Sequence, residues 1–268
     1  MLRLFKPDYD LKKERPIMNY EKLKNIWMAE EQHAFQGWDF SHLQSRWQGE
    51  PLPWDYKVII MEHLRPTDRL LDMGTGGGEF LLSLGHPNEK TAVTEAWPPN
   101  IQLCMEKLAP LGIQVYPVQE EAPLPIVDNS FDMVINCHEF YDLQEVRRVL
   151  KPGGMFITQQ VGEENCIVLE ERINLEPPAH QAFSMETELP KFHGCGFSVK
   201  YSNECFPQLK FFDVGAIVFW AKIIEWSFPG FCVEKNFDRL CALQEEIDQN
   251  GEISDLEHRF IIVAQNMK

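Results

Sequence analysis

The chain has 268 residues, 44% of them hydrophobic and 25% charged, a composition that suits an ordinary soluble globule and leaves room for one large domain with an elaboration. Its formal net charge of −16 repels phosphate backbones and disfavours nucleic acid as a general partner, with Lys6, Lys12, Lys13 and Arg15 as the basic cluster that could oppose this. Seven scattered cysteines (Cys104, Cys137, Cys166, Cys195, Cys205, Cys232 and Cys241) lack the spacing of a zinc knuckle or a redox pair, so the pattern argues against a metal site and fits free thiols in a reducing cytoplasm.

The first residues, MLRLFKPDYDLKKERP, carry no apolar core of a signal peptide. Tyr20 to Gln36 predicts a helix, with Leu23, Ile26, Trp27 and Ala34 at helical spacing. Trp38, Phe40, Trp47 and Trp54 follow around a turn and two prolines. Large aromatics are costly to leave in water, so these either seal the core against the next domain or cover a ligand. On the second reading Trp38 and Phe40 are candidate substrate contacts.

From Tyr56 the pattern settles into alternation. A helix to His63 leads to a strand at Arg69 to Met73, a glycine turn and a short helix from Glu79. Strands follow at Thr91 to Glu95, Ile113 to Val118, Phe131 to Asn136 and Met155 to Val161, separated by helices from Pro98 to about Leu108 and from Leu143 to Leu150. Lys151-Pro152-Gly153-Gly154 punctuates the last junction. Strand and helix in this rhythm predict a parallel sheet covered on both faces. Beyond Val161 come a helix from Glu188 to His193, a strand from Phe197 to Ser202, an almost wholly apolar helix from Asp213 to Trp226, an amphipathic helix through Phe237, Leu240, Leu243 and Ile247, and a final strand from Arg259 to Gln265. The apolar helix carries Lys222 and Glu225 and is too short to span a bilayer, so no membrane is expected.

The turn is Asp72-Met73-Gly74-Thr75-Gly76-Gly77-Gly78. Alternating glycines let a small molecule press against bare backbone. A carboxylate just before the turn would repel a diphosphate and welcome a cation, which favours S-adenosylmethionine over a dinucleotide. Glu95 ends the next strand, where a βαβ unit brings it beside the turn and lets it accept ribose hydroxyls. Ala96 and Trp97 are placed to flank an adenine, although Trp97 could equally fill the core. Glu120 and Glu121 occupy the loop after the third strand, as adenine contacts or as solvated charges. Asn136-Cys137-His138-Glu139 leaves the fourth strand at the same edge. There His138 is the candidate base and Glu139 its partner, or His138 only orients a neighbour; Cys137 is a weaker candidate nucleophile. Trp220, in the apolar helix, is a third candidate substrate contact, or else belongs to a helical subdomain with its own core.

LLDMGTGGGEF, TAVTEAW, LPIVDNSFDMVIN and VRRVLKPGGMFITQQV, in this order and spacing, resemble the class I S-adenosylmethionine-dependent methyltransferases, in particular the small enzymes of the methyltransferase type 11 group. The resemblance spans about residues 60–165. It implies a Rossmann-like, doubly wound α/β sheet of seven strands with the last antiparallel, here carrying an N-terminal helical extension and a helical insertion between the sixth and seventh strands. The expected division is an N-terminal cap over 1–55, a cofactor-binding core over 56–202, the insertion over 203–257 and the final core strand over 258–268. The resemblance implies that Asp72, Gly74, Thr75, Gly76 and Gly78 line the methionine part of S-adenosylmethionine, that Glu95 binds the ribose, and that Asn136 stands at the same edge. The family carries aspartate in the loop after strand three, where Glu120 stands here. The implied activity is in-line transfer of a methyl group to a small molecule by a cytoplasmic monomer or homodimer. Transfer to RNA or protein, or cofactor binding without catalysis, stays open at this level.

Overall fold

The computed structural model describes residues 19–35, 39–119, 122–176 and 182–268. Through the first half of the chain the elements are α1 (Tyr20–Glu31), β1 (Trp47–Gly49), α2 (Tyr56–His63), β2 (Leu70–Met73), α3 (Glu79–Ser83), β3 (Thr91–Glu95), α4 (Pro98–Lys107), β4 (Gln114–Pro117) and β5 (Phe131–Cys137). Then come α5 (Leu143–Val149), β6 (Leu150–Val161), α6 (Ile167–Ile173), α7 (Met185–Gly194), β7 (Phe197–Cys205), β8 (Gln208–Phe211), α8 (Val214–Ile223), α9 (Val233–Asn250), β9 (Ile253–Leu256) and β10 (Arg259–Asn266).

Among the described residues the main sheet has seven strands in the order β4-β3-β2-β5-β6-β10-β7. β2 runs parallel to both β3 and β5, while β10 is antiparallel to β6 and to β7. This is the Rossmann-like arrangement that the alternation of strands and helices predicts. The strands are apolar on both sides because helices cover both: α2, α3 and α4 pack on one face, α5 and α7 on the other. The chain winds outward from β2 to β4 and then returns to place β5 on the other side of β2. That reversal opens a crevice beyond the carboxyl ends of β2 and β5.

Local chemistry sets many boundaries. Asp55, Asp142 and Asp213 cap α2, α5 and α8, each accepting a backbone N–H of its first turn. Gly251, with φ of +86°, stops α9. The lysine–proline–glycine–glycine run is not a loop. β6 starts at Leu150 and runs through it, with an irregular register against β5 between Phe131 and Met133. A Cβ at Gly154 would stand 3.0 Å from the Asp132 carbonyl, so only glycine lets the strands approach there. α1 ends at Glu31, five residues before the periodicity suggests, where Gln32 caps it.

The insertion carries helices between β7 and β10, as expected, and also two strands that the sequence pattern does not suggest. β8 pairs with β1 of the N-terminal segment on one side and with β9 on the other in a small antiparallel sheet, Trp47 opposite Phe211 and Lys210 opposite Ser254. Its partners are separated by up to about 160 residues, so no local periodicity announces it. α1, α6, α8 and α9 pack on it around Trp27, Phe211, Ile217 and Phe228. Arg46 ties the two segments. Its guanidinium donates to Asp213 Oδ1 and Oδ2 at 2.6 and 2.9 Å and stands 2.9 Å from Glu30. Among the described residues no helix is long and apolar enough to cross a membrane.

Candidate active site

β2 ends in Asp72 and Met73, and the chain then turns through three left-handed glycines, with φ of +69° at Gly74, +60° at Gly76 and +80° at Gly78. Met73 and Gly74 line the crevice, while Asp72, Thr75, Gly76 and Gly78 lie behind that lining. Side chains are excluded here by more than φ. A Cβ on Gly78 would meet Leu108 at 2.8 Å, and one on Gly74 would meet Glu139 Cγ at 2.4 Å. Gly74 and Thr75 donate their N–H groups to the Thr94 carbonyl at 3.1 and 3.3 Å, which fastens the turn to β3.

Glu95 completes the fastening. Its buried carboxylate accepts from Gly76 N at 2.9 Å and from Ala96 and Trp97 N at 3.0 Å each. Oε1 takes two of these bonds and Oε2 one, so Oε2 keeps a lone pair beyond them. Asp72 is also buried. Burial pushes its carboxyl up to about 7, the Glu95 carboxylate adds to the rise, and the nearby Thr75 hydroxyl offsets part of it. Two buried acids therefore repel one another across the turn, where Gly74 and Thr75 are half-buried and Gly76, Gly77 and Gly78 are buried. A ligand with positive charge relieves that repulsion, and a phosphate increases it. On this observation the residues present fit S-adenosylmethionine.

The crevice has a volume of about 370 Å³, and Gly74, Glu95, Ala96, Gln119, Glu139 and Tyr141 are among the residues that line it. That size lies within the range of small-molecule sites. Trp97 is not part of the lining and is 46% exposed at the start of α4. Glu120, Glu121 and Trp38 lie outside the described residues; Gln119 and Ala122, on either side of the two glutamates, line the crevice.

Other expected residues lie away from the lining. Asn136 is fully buried, its Oδ1 accepting from Thr158 Oγ1 at 3.0 Å and from Gln160 Nε2 at 2.5 Å. Trp220 and Phe40 belong to the aromatic core of the small sheet and its helices. Trp220 packs on Phe211 and Phe228, and Phe40 stacks on Trp47. Neither lies near a crevice-lining segment in sequence, and both bury their rings against the small sheet and its helices.

His138 follows β5 with φ of +57° and donates its N–H to the Gln159 carbonyl at 2.9 Å. The residue is exposed and is not among those that line the crevice, although neighbouring residues desolvate its ring. That desolvation, and the Arg259 guanidinium, hold the imidazole below its ordinary range, so the ring is neutral at physiological pH. Cys137 is no nucleophile in this state. Burial and Asp72 push its thiol up to about 12.

Several neighbours escaped the sequence reading. Tyr56 donates its hydroxyl to the Asn136 carbonyl at 2.9 Å and accepts from Asn136 N at 3.1 Å. Tyr141 donates to the buried Glu188 at 2.8 Å. Trp54 donates to Gln159 at 2.8 Å. Phe140 and Tyr141 directly follow the His138-Glu139 pair and share the crevice wall with Glu139, a signal available in the sequence. Tyr56, Trp54 and Gln159 reach the site only through packing.

Residues 71–158 match a family model described as a methyltransferase domain. Solved structures share the fold at low identity. The YcgJ protein from Bacillus subtilis is 20% identical, with 80% of this chain and 98% of that chain covered and a TM-score of 0.53. A putative methyltransferase from Bacillus halodurans is 16% identical, with coverage of 80% and 99% and a TM-score of 0.53. A functionally unknown protein from Deinococcus radiodurans is 13% identical, with coverage of 92% and 98% and a TM-score of 0.52. No curated protein matches the sequence significantly.

Proposed function

This chain belongs to the class I S-adenosylmethionine-dependent methyltransferases, and on that premise we propose that its crevice holds the cofactor against the glycine turn for methyl transfer to a small molecule. The observation that carries the reading is the pair of buried carboxylates, Asp72 and Glu95, facing each other across left-handed glycines. Asp72 serves the cationic end of the cofactor. Glu95 holds the turn through backbone N–H groups and has one acceptor site left, on Oε2, for a hydroxyl of the ribose. Gly74, Thr75, Gly76 and Gly78 present backbone without side chains in the way. Ala96, and Glu120 and Glu121 from the neighbouring loop, serve the adenine end.

When bound, the cofactor supplies a sulfonium methyl to a lone pair on the acceptor, displaced in line. The protein's contribution is positioning: the crevice walls exclude water and Glu139 stands over Gly74. The division into a core over 56–202 with 258–268, and a cap built from 1–55 and 203–257, assigns the crevice to the core and acceptor selection to the cap. The net charge of −16 supports a small molecule over a nucleic acid. Seven free cysteines support a reducing, cytoplasmic setting.

Calorimetry with S-adenosylhomocysteine and with NAD tests the cofactor assignment. Micromolar binding of the first and none of the second is expected; the reverse overturns it. Release of S-adenosylhomocysteine when small amines, acids and phenols are supplied with S-adenosylmethionine tests the acceptor class. Transfer to RNA or protein alone overturns the small-molecule reading.

A further inference from the structure

His138 sits in a hydrogen-bond arrangement that determines which of its nitrogens carries the proton. The starting point is Trp54, whose Nε1–H donates to Gln159 Oε1 at 2.8 Å. An indole N–H only donates, so this contact fixes the orientation of the Gln159 amide, with its oxygen toward Trp54. The amide nitrogen is then the atom 3.4 Å from His138 Nε2 and 3.6 Å from Cys137 Sγ. An amide nitrogen also only donates. His138 Nε2 must therefore accept, and the single proton of the neutral ring belongs on Nδ1.

The backbone reinforces the pairing. Cys137 lies opposite Gln159 in the β5–β6 register, and the N–H of His138 donates to the Gln159 carbonyl at 2.9 Å. Main chain and side chain of one residue thus hold the histidine at a φ of +57°. A proton on Nε2 would point at the amide hydrogens of Gln159, and a second proton on the ring would add a charge near Arg259, whose guanidinium is already paired with Glu257.

We propose that Trp54 and Gln159 are positioning residues that hold His138 as the Nδ1–H tautomer with its Nε2 lone pair engaged, so that Nε2 is not free to act as the general base. Any proton that the acceptor sheds goes elsewhere. The inference rests on the methyltransferase reading only for the word acceptor; the tautomer itself stands on the geometry.

The test is long-range 1H–15N correlation of the imidazoles in the full, unliganded chain. His138→Asn assigns the resonance by its loss, since asparagine tolerates the left-handed backbone. The expected result is a protonated Nδ1 and an unprotonated Nε2, unchanged as the pH is lowered to about 5, below the half-titration point of a free imidazole. In Gln159→Glu the carboxylate accepts from both Trp54 and the ring. The proton moves to Nε2, and the ring titrates at least about one pH unit higher than in the native chain. In Trp54→Phe the amide is released and both tautomers appear. A native ring protonated at Nε2 overturns the proposal, as does a Gln159→Glu chain with an unchanged tautomer. If Gln159→Glu does not fold, a single unchanged tautomer in Trp54→Phe overturns it equally. Because the measurement needs neither cofactor nor acceptor, its failure leaves the methyl-transfer reading standing, and a failure to bind S-adenosylhomocysteine leaves the tautomer standing.

Discussion

The side chain of Glu139 lies across the backbone of Gly74: a Cβ added at Gly74 would stand 2.4 Å from Glu139 Cγ and 2.8 Å from its Oε2. The loop after β5 and the turn after β2 therefore meet through a residue that has no side chain. One wall of the crevice is built from that meeting.

Gly74→Ala meets both this contact and a φ of +69° that L side chains rarely adopt. Local strain of this kind costs on the order of 1–3 kcal/mol. S-adenosylhomocysteine should bind at least about tenfold more weakly, a loss of about 1.4 kcal/mol. Gly74→Ala with Glu139→Ala should regain part of that, since it removes the contact and keeps the strained φ. Calorimetry on the native, single and double variants reads both terms, and native affinity in Gly74→Ala would refute close approach of the ligand to this backbone.

Asp72 sets a pH dependence whose sign can be worked out. Its carboxyl stands at about 7 in the unliganded fold and at about 3.9 in an unfolded chain. The folded chain holds the proton more tightly, so this group lowers stability progressively as pH rises from about 4 to about 7, and the loss is complete above that. Asp72→Asn should raise the Tm of the unliganded protein at pH 8 by at least about 3 °C, with a smaller gain at pH 5. The same variant should weaken S-adenosylhomocysteine binding at least about tenfold. Native affinity should also fall as pH drops from about 8 to about 6, because a cation binds the ionised carboxylate. A pH-independent Kd over that range would exclude Asp72 as the partner of the charge.

Glu95 accepts three backbone N–H groups, from Gly76, Ala96 and Trp97. In Glu95→Gln the amide nitrogen must face at least one of those donors. The turn loosens, stability falls by about 1–3 kcal/mol, and affinity for S-adenosylhomocysteine falls at least about tenfold. Urea unfolding and calorimetry check the two separately; an unaltered Kd beside reduced stability would leave Glu95 a purely structural role.

Asp213 both caps α8, accepting from Ala216 N at 2.8 Å, and holds Arg46. The carboxylate is partly exposed, which limits the worth of the ion pair. Asp213→Ala should cost about 2 kcal/mol, and Asp213→Asn about 1, because asparagine keeps the cap and loses the charge. The order of the two midpoints in urea is the check. Equal losses would show that the cap contributes nothing, and native stability in Asp213→Asn would show that the charge facing Arg46 contributes nothing.

The site was legible where its signal is local. Asp72 and the glycines announce themselves within seven residues, since only glycine turns through three left-handed conformations in that space. Glu95 follows from the length of a βαβ unit. Trp220 and Phe40 show the limit. An aromatic residue in a cap or an insertion has the same appearance in sequence whether it faces the ligand or its own core, and here both pack into the core of the small sheet. Gln159 shows the converse. It is one polar residue in a strand, and its part in holding His138 depends on Trp54, more than a hundred residues away.

By itself the sequence determined the alternation of strands and helices in the Rossmann-like core, the glycine turn and the carboxylates Asp72 and Glu95 that accompany it. These depend on backbone conformations and hydrogen bonds within a few residues, and residue type alone decides those. Only the tertiary structure decided that residues 47–49 pair with 209–211, that Asp72 is buried deeply enough to hold its proton near neutrality, and that the amide of Gln159 stands against Nε2 of His138. Register between distant strands, desolvation and the orientation of an amide arise from what the rest of the chain packs around a residue, and no local pattern carries that information.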